Sequence, residues 1–260
     1  MKRYVFAGLL LLSGACFAQV APGSGPQAQA AYPESEAAAA WRALAATYVR
    51  KALQDKTLDQ DAALNARVDK VMAAIGAAVA GIDARFAKST WRAILIEGFG
   101  HGATAFPGEI LLVDAQFVRA MQLGDDELAL IFAHEAAHVI AGHAAAKLSF
   151  MAQTLGKEQL PDARSALIEF LAKDSYATDF RPKAWQQERE ADTLGAAIFF
   201  ASGYDAQRAL SLFDKLAVLE GGDGKQVLGP HDAAVVRKQT IAAVLAKLRQ
   251  LDARRGPVPQ

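Results

Sequence analysis

The amino-acid sequence predicts an α+β fold that is mainly helical, with a small antiparallel β-sheet beside a long central helix. Apolar residues recur at helical spacing through most of the chain, while short β-compatible runs occur only between residues 91 and 113. Because these runs are grouped and do not alternate with helices, a parallel sheet of βαβ units is not expected.

The start of the chain has the pattern of an export signal. Lys2 and Arg3 precede a short apolar run, which small residues follow up to Ala18. The run is too short to span a bilayer, so we expect a signal peptide at residues 1–18 and a periplasmic protein. An alternative stays open, because lipidation of Cys16 would anchor the protein to the outer membrane as a lipoprotein. No later stretch is expected to span a membrane.

The composition excludes several classes of function. Lys and Arg together number 28, as do Asp and Glu, so no strong positive field exists to attract nucleic acid, and no nucleic-acid partner is expected. A single cysteine excludes an internal disulfide and a cysteine-rich zinc site. A transition metal would therefore be held by carboxylates and by some of the five histidines.

We expect one domain over residues 34–251. Residues 19–33 are rich in Ala, Gln, Gly and Pro and are predicted to be a flexible tether. Residues 34–82 have apolar positions at helical spacing with one interruption, which predicts a helical hairpin. Residues 252–260 are expected to be a flexible tail.

The elements after the hairpin follow from turn residues and periodicity. They are two strands at 91–97 and 109–113, a helix from Gly124 to about Lys147, a polar insertion at 148–181 of the kind that often lies over a site, a helix that Pro182 opens, and helices at 205–219 and 233–251.

The long central helix carries the motif HEAAH at residues 134–138. His134 and His138 are four residues apart on one helix face, so they can share one metal ion, and imidazole nitrogens suit tetrahedral zinc. Glu135 projects about 100° away, where a general base could take a proton from metal-bound water and pass it to a leaving amine. Two unrelated helix histidines are a weaker interpretation, because the flanks are apolar and unpartnered histidines would be costly to bury.

A third ligand must come from outside this motif. The metzincin extension, with Gly and His after the second zinc histidine, is absent. His143 stands about 140° around a continuous helix from His138, so we expect it to point elsewhere and to form a hydrogen bond near the helix end. Glu188 and Asp192 share a helix face at i, i+4, so one carboxylate can bind zinc while the other orients a histidine.

These residues resemble the gluzincin zinc metallopeptidases of the HtpX and BepA type, which are related to the CAAX prenyl endopeptidases. The resemblance rests on HEAAH with His143 after it, on EREADTLG at 188–195 and on AFPG at 105–108, and it covers a catalytic core at about 91–245. It implies a mainly helical metallopeptidase domain with one Zn²⁺ per chain, Glu188 as the third zinc ligand and Asp192 supporting the site.

The resemblance also implies features of the cleft. The strand after the Pro-Gly turn would border it, so a peptide is expected to add as a strand beside residues 109–113. His231 would have a catalytic role by stabilising the oxyanion, or it would occupy the fourth zinc position as a gate; a surface loop histidine is the alternative. Here Asp232 follows His231 where the family often has proline, with Arg237 in the place of the family's arginine.

The leading hypothesis is a zinc-dependent endopeptidase of the bacterial envelope that hydrolyses peptide bonds in unfolded or misassembled proteins, as part of quality control. Peripheral association with the outer membrane or its assembly machinery would fit this role. The alternative is a periplasmic chaperone or assembly factor that binds clients with a latent or inactive metallopeptidase fold. Glu135 favours the enzyme, because a scaffold needs the ligands but not the base. The sequence does not specify an oligomeric state.

Overall fold

The computed structural model describes residues 30–221 and 231–254. The predicted signal peptide with Cys16 and residues 19–29 of the predicted tether lie outside this part, as do residues 255–260 of the predicted tail. The end of the predicted tether is packed rather than free: Tyr32 is buried, and its hydroxyl donates a hydrogen bond to the Leu160 carbonyl at 2.8 Å.

The described residues form helices around one small sheet. In chain order the elements are α1 (Glu34–Asp55), α2 (Ala62–Ile82), a short 3₁₀ turn (Ala84–Phe86), β1 (Arg92–Ile96), β2 (Ala103–Phe106), β3 (Ile110–Asp114), α3 (Ala115–Ala120), α4 (Asp125–Ile140), α5 (His143–Leu155), α6 (Ala163–Ala172), α7 (Asp174–Ser202), α8 (Ala206–Ala209), α9 (Ser211–Leu219) and α10 (Ala234–Arg254). The prediction of a mainly helical α+β fold is confirmed. Helix α10 continues three residues into the predicted tail, from Asp252 to Arg254.

The sheet is mixed, which corrects the expectation of an antiparallel sheet. Its strand order is β1-β3-β2, with β3 parallel to β1 and antiparallel to β2. The apolar run of β3 explains its central position, because Leu111, Leu112 and Val113 on its two faces are all buried. The glycine-rich segment 97–102 carries the chain past the end of β3, where Gly100 N–H donates to Asp114 Oδ2 at 2.6 Å.

The central position of β3 also corrects the expected substrate edge. Both sides of β3 are paired, so a peptide cannot add beside residues 109–113. Strand β2, which the sequence did not predict, has one neighbour in the described sheet and therefore offers the free edge. Next to β2, the Gly102 carbonyl accepts a hydrogen bond from Asp114 N–H. Because successive residues of a strand direct their backbone groups to opposite sides, the backbone groups of Ala103 and Ala105 face away from β3, toward the outer edge of β2.

Two hydrophobic cores pack on the two faces of the sheet. The first core consists mainly of side chains from α2, α4, α7 and α10, together with Leu111 and Val113. The second core consists mainly of side chains from α1, α5 and α6, together with Leu112 and Phe106. Residues 148–181 thus pack chiefly with α1, and in the described part of the chain none of them lines the cleft of the candidate site.

The central helix is shorter than expected. It ends at Ile140 and not near Lys147, because Gly142 adopts a left-handed conformation with φ of 69° that begins a new helix at His143. The two helices α4 and α5 meet at 47°. Within the described residues, no single helix has the length and apolar character needed to cross a membrane. The bent pair of α4 and α5 meets these two criteria by length and composition alone.

Helix α7 differs from the prediction at its start. It begins at Asp174 and contains Pro182, whereas the sequence predicted that Pro182 would open the helix. Proline removes one backbone hydrogen bond in a helix interior, but packing holds the turns before it. Phe180 is buried, and its ring centre lies 5.3 Å from that of Phe150 and 5.9 Å from that of Phe170.

Candidate active site

Helix α4 presents its two motif histidines to one point. Nε2 of His138 lies 3.1 Å from Nε2 of His134, and the two rings are nearly perpendicular. An i, i+4 pair on one helix face meets in this way because each side chain leans toward the preceding turn. The helix is fixed from its N-terminus, where Glu127 accepts from Gly124 N–H at 2.8 Å and from Lys215 at 2.7 Å.

Helix α7 brings two carboxylates to these histidines. Oε2 of Glu188 lies 3.1 Å from His134 Nε2 and 3.4 Å from His138 Nε2. On the other side of the His134 ring, Asp192 Oδ1 lies 2.9 Å from Nδ1. The approach of α7 depends on Gly195, since a Cβ at that position would lie 2.9 Å from His134 Cα.

His231 reaches the same point from the segment before α10. Its Nδ1 lies 2.9 Å from Glu188 Oε2. The direction does not suit a hydrogen bond, so this buried nitrogen has no hydrogen-bond partner among the described residues. One ligand atom each from His134, Glu188 and His231 lie within 4.8 Å of one another.

This donor set fits a zinc ion. Four ligands about 2.0–2.1 Å from zinc in a tetrahedron lie about 3.3 Å from one another, and the observed separations between His134, His138 and Glu188 are 3.1–3.4 Å. The His231 nitrogen has no hydrogen-bond partner among the described residues, so it is available as a further metal ligand. The residues present therefore fit Zn²⁺.

The electrostatics of the site also favour a cation there. Burial lowers the pKa of His134, but its hydrogen bonds with Asp192 and Glu188 outweigh this and raise the pKa to about 9. Burial raises the pKa of Glu188, and its contacts with His134, His138 and His231 reverse this and hold the pKa well below its usual range. The site therefore keeps its carboxylates ionised around a point where positive charge is stabilised.

Asp192 is held in its charged form by Arg237. The guanidinium donates two hydrogen bonds to Asp192, from Nε at 3.0 Å and from Nη2 at 2.7 Å, and lies over the Phe213 ring at 5.4 Å. Burial raises the pKa of Asp192, but the contacts with His134 and Arg237 outweigh it and lower the pKa. Asp192 can thus accept from His134 Nδ1 and leave Nε2 free for a metal.

His143 contacts the site, which corrects the expectation that it points elsewhere. Its Nδ1 lies 2.8 Å from Nδ1 of His138, and its Nε2 lies 3.4 Å from Glu190 Oε2. Burial and the neighbouring His138 lower the pKa of His143 to about 3, so the ring is neutral. With its proton on Nε2 toward Glu190, His143 accepts at Nδ1 from His138, whose Nε2 then faces the metal position. The two histidines meet because Gly142 breaks the helix between them, so His143 does not continue the rotation of α4.

Glu135 lies at the border between this donor set and the sheet edge. Its Oε2 accepts a hydrogen bond from Ala105 N–H of β2 at 2.8 Å. Both residues line a cleft of about 770 Å³, whose walls also include Trp41, His101, Lys147, Phe213 and His231. The predicted general base, the side chains that fit zinc and the outer edge of β2 therefore share one cleft.

Comparison with known proteins places this geometry in a family. Residues 60–245 match the sequence model of peptidase family M48. The chain belongs to this family. A relative is the mitochondrial metalloendopeptidase OMA1 of Schizosaccharomyces pombe, which is 29% identical over 140 residues. The matched stretch covers 52% of the chain and 40% of OMA1, so the chain spans less than half the length of that relative.

The M48 match confirms the resemblance to zinc metallopeptidases and supports a metalloendopeptidase. Its range begins after α1, which lies at Glu34–Asp55 and still supplies a wall of the cleft through Trp41. All the predicted site residues fall inside the matched range, and the structure brings His134, His138, Glu188 and His231 together, with Glu135 and Asp192 beside them.

Proposed function

We propose that the protein is a zinc-dependent endopeptidase that hydrolyses peptide bonds in unfolded or misassembled proteins. The observation that carries this proposal is the convergence of His134, His138 and Glu188 at zinc-like separations in the cleft that Glu135 lines. These three residues would hold one Zn²⁺ per chain. When bound, zinc supplies a Lewis acid that polarises the peptide carbonyl and makes water acidic enough to give up a proton near neutral pH.

The protein residues have separate tasks in this reaction. Glu135 takes the proton from the attacking water and delivers it to the leaving amine. Asp192, held by Arg237, orients His134, while His143 orients His138. A peptide in extended conformation would pair with the outer edge of β2 through the backbone of Ala103 and Ala105. It would then replace Glu135 as the acceptor of the Ala105 N–H, which leaves the Glu135 carboxylate beside the peptide carbonyl and available to the attacking water.

An unfolded substrate suits this edge. Strand addition requires several consecutive residues with free backbone groups, which a folded protein seldom offers. A role in quality control is supported by this requirement and by the export signal in the sequence. We propose that the protein acts in the periplasm of the bacterial envelope, in peripheral contact with the outer membrane or its assembly machinery. Anchoring through Cys16 is the alternative, and the intact mass of the exported protein distinguishes a lipidated Cys16 from cleavage after Ala18.

The test is degradation of casein by the purified zinc-loaded protein. We expect cleavage that a chelator abolishes and added zinc restores, and Glu135→Gln should lower the rate by at least about a hundredfold while zinc content stays near one per chain. A protein that binds zinc but leaves casein intact would contradict the endopeptidase, and one that binds no zinc would contradict the metal site.

A second candidate function is a latent peptidase or chaperone, and the position of His231 favours it. With Nδ1 2.9 Å from Glu188, His231 stands where a fourth ligand would exclude water. If His231 is a gate, His231→Ala increases casein cleavage; if it stabilises the oxyanion, the same variant decreases kcat with little change in KM.

A further inference from the structure

The carboxylates that line the cleft all have partners. Glu135 accepts from Ala105 N–H, and Glu188 contacts the histidines. Asp192 is paired with Arg237, and Glu220 accepts from Ala234 N–H at 2.9 Å. The negative charges of the cleft are therefore committed to the protein's own structure.

Lys147 differs from these carboxylates. It lines the same cleft, but among the described residues no carboxylate lies within 4 Å of its ammonium and no hydrogen bond involves it. The side chain is half-buried. Burial lowers the pKa of Lys147, while the carboxylates of Glu188 and Glu135 oppose this from a longer distance. An unpaired cation that is partly removed from water is costly, so its presence in a cleft calls for a function.

Helix α1 holds this cation in place. The Lys147 ammonium lies 5.6 Å from the centre of the Trp41 ring, within the range of a cation–π contact. Trp41 is itself fixed, because Nε1 donates to the Ala144 carbonyl at 3.1 Å and the residue is only 8% exposed. The ring supports the ammonium from one side and leaves its donors without a protein acceptor.

We propose that Lys147, supported by Trp41, forms a subsite that binds a carboxylate of the peptide, so that the cleft selects substrates with an acidic group near the cleaved bond. This inference rests on the proposed peptidase function. The carboxylate is either an Asp or Glu side chain or the free C-terminus of a short peptide, since the same ammonium recognises both. Because α1 precedes the residues that match the M48 family, the subsite combines the family domain with a helix outside the match.

Binding to zinc-loaded Glu135→Gln protein tests the subsite without requiring turnover. Fluorescence anisotropy compares three labelled peptides of one sequence: an internal Glu with an amidated C-terminus, Gln at that position with the same amide, and the Gln peptide with a free C-terminus. We expect one of the two charged peptides to bind about tenfold more tightly than the neutral one, which also identifies the source of the carboxylate.

Variants of Lys147 decide the assignment. Lys147→Gln in the same background should abolish the preference, and Lys147→Glu should transfer it to a peptide with Lys at the variable position. The matched control is Lys157→Gln, because Lys157 also lies over an aromatic ring, that of Tyr32 at 5.5 Å, but is exposed and does not line the cleft. Circular dichroism and zinc content confirm that each variant is folded.

The outcomes separate the two proposals. The subsite would be overturned if all three peptides bound with equal affinity or if none of them bound. It would also be overturned if the preference survived Lys147→Gln, because the preference would then come from the metal ion. Casein cleavage without a preference for acidic peptides would remove the subsite and leave the peptidase. A Lys147-dependent preference in a protein that cleaves nothing would keep the subsite and contradict the peptidase.

Discussion

Gly195 of α7 packs directly against the backbone of His134 in α4: a Cβ at Gly195 would lie 2.9 Å from His134 Cα and 3.0 Å from His134 N. This contact sets the distance between the two helices that carry the candidate zinc ligands. Real Cβ atoms do not approach backbone this closely, so any larger residue must push the helices apart.

Gly195→Ala should therefore damage the metal site and the core together. We expect the free energy of unfolding to fall by about 1–3 kcal/mol and zinc affinity to fall at least about tenfold, because Glu188 and Asp192 move with α7. Denaturant unfolding and competition with a chromophoric chelator measure the two effects. The control is Gly81→Ala in α2, where no atom lies within 4 Å of the added Cβ, and this variant should lose neither. Wild-type zinc affinity in Gly195→Ala would show that the helices can adjust.

Asp192→Asn should weaken zinc binding without removing a ligand. The amide cannot supply the negative charge that accepts from His134 Nδ1 and pairs with Arg237, so we expect zinc affinity to fall about 10–100-fold. The comparison is with Asp55→Asn, since Asp55 forms an exposed pair with Lys51 at 2.5 Å at the end of α1 and should have no effect on zinc. Equal zinc affinities of the two variants would exclude a supporting role for Asp192.

His143→Ala should also lower zinc affinity, by about tenfold. The variant removes the acceptor for His138 Nδ1, so the His138 ring loses the contact that orients Nε2 toward the metal position. His101→Ala is the matched control, because His101 lines the cleft but packs edge-on against Phe99 and should leave zinc affinity unchanged. A His143→Ala protein with normal zinc affinity would mean that α4 alone fixes His138.

Asp59→Asn should destabilise the fold in a pH-dependent way. Burial raises the pKa of Asp59, but its hydrogen bonds with Arg119 and with the Asp61 N–H, together with the Arg119 charge and the neighbouring Glu97, outweigh this and lower the pKa. When the pKa of a carboxyl group is lower in the folded protein than in the unfolded chain, the charged group stabilises the folded state at pH values above the unfolded pKa, which is about 3.9 for Asp. This stabilisation is lost as the pH falls through the folded pKa. At pH 7 we expect a loss of about 1–3 kcal/mol that shrinks below about pH 4.

Urea unfolding of Asp59→Asn and wild type across this pH range tests the prediction. Asp55→Asn serves as the control, because Asp55 forms an exposed i, i+4 pair with Lys51 and should change little. A difference between Asp59→Asn and wild type that stayed constant down to pH 3 would contradict the assignment to the Asp59 carboxylate.

The sequence predicted those site residues whose relative positions follow from their spacing along one helix. His134 and His138 share a face because helix periodicity fixes their spacing, and Glu135 follows from the same motif. Glu188 and Asp192 lie on another helix, and spacing alone leaves the two carboxylates equivalent, so the assignment of Glu188 needed the family resemblance. The contact geometry agrees with that assignment, since Glu188 approaches both histidines and Asp192 approaches only His134.

The features that the sequence did not predict depend on turns and on tertiary pairing. His143 was placed on a continuous helix, whereas one left-handed residue, Gly142, redirects it toward His138. Strand β2 contains mostly small residues and exists through its pairing with β3. Pro182 lies inside α7 because aromatic packing outweighs its local cost. A turn residue overrides the expected helix in the first case, and long-range packing or pairing overrides a local signal in the other two.

The placement of β3 between two cores has a consequence for cooperativity. Leu111 and Val113 belong to the first core and Leu112 to the second, so the backbone of one strand is common to both. Neither core can open fully without releasing β3, and release of β3 also frees β2, the edge that borders Glu135. We therefore expect loss of either core to dismantle the candidate cleft, so that the proposed peptidase activity and the folded state would be lost together.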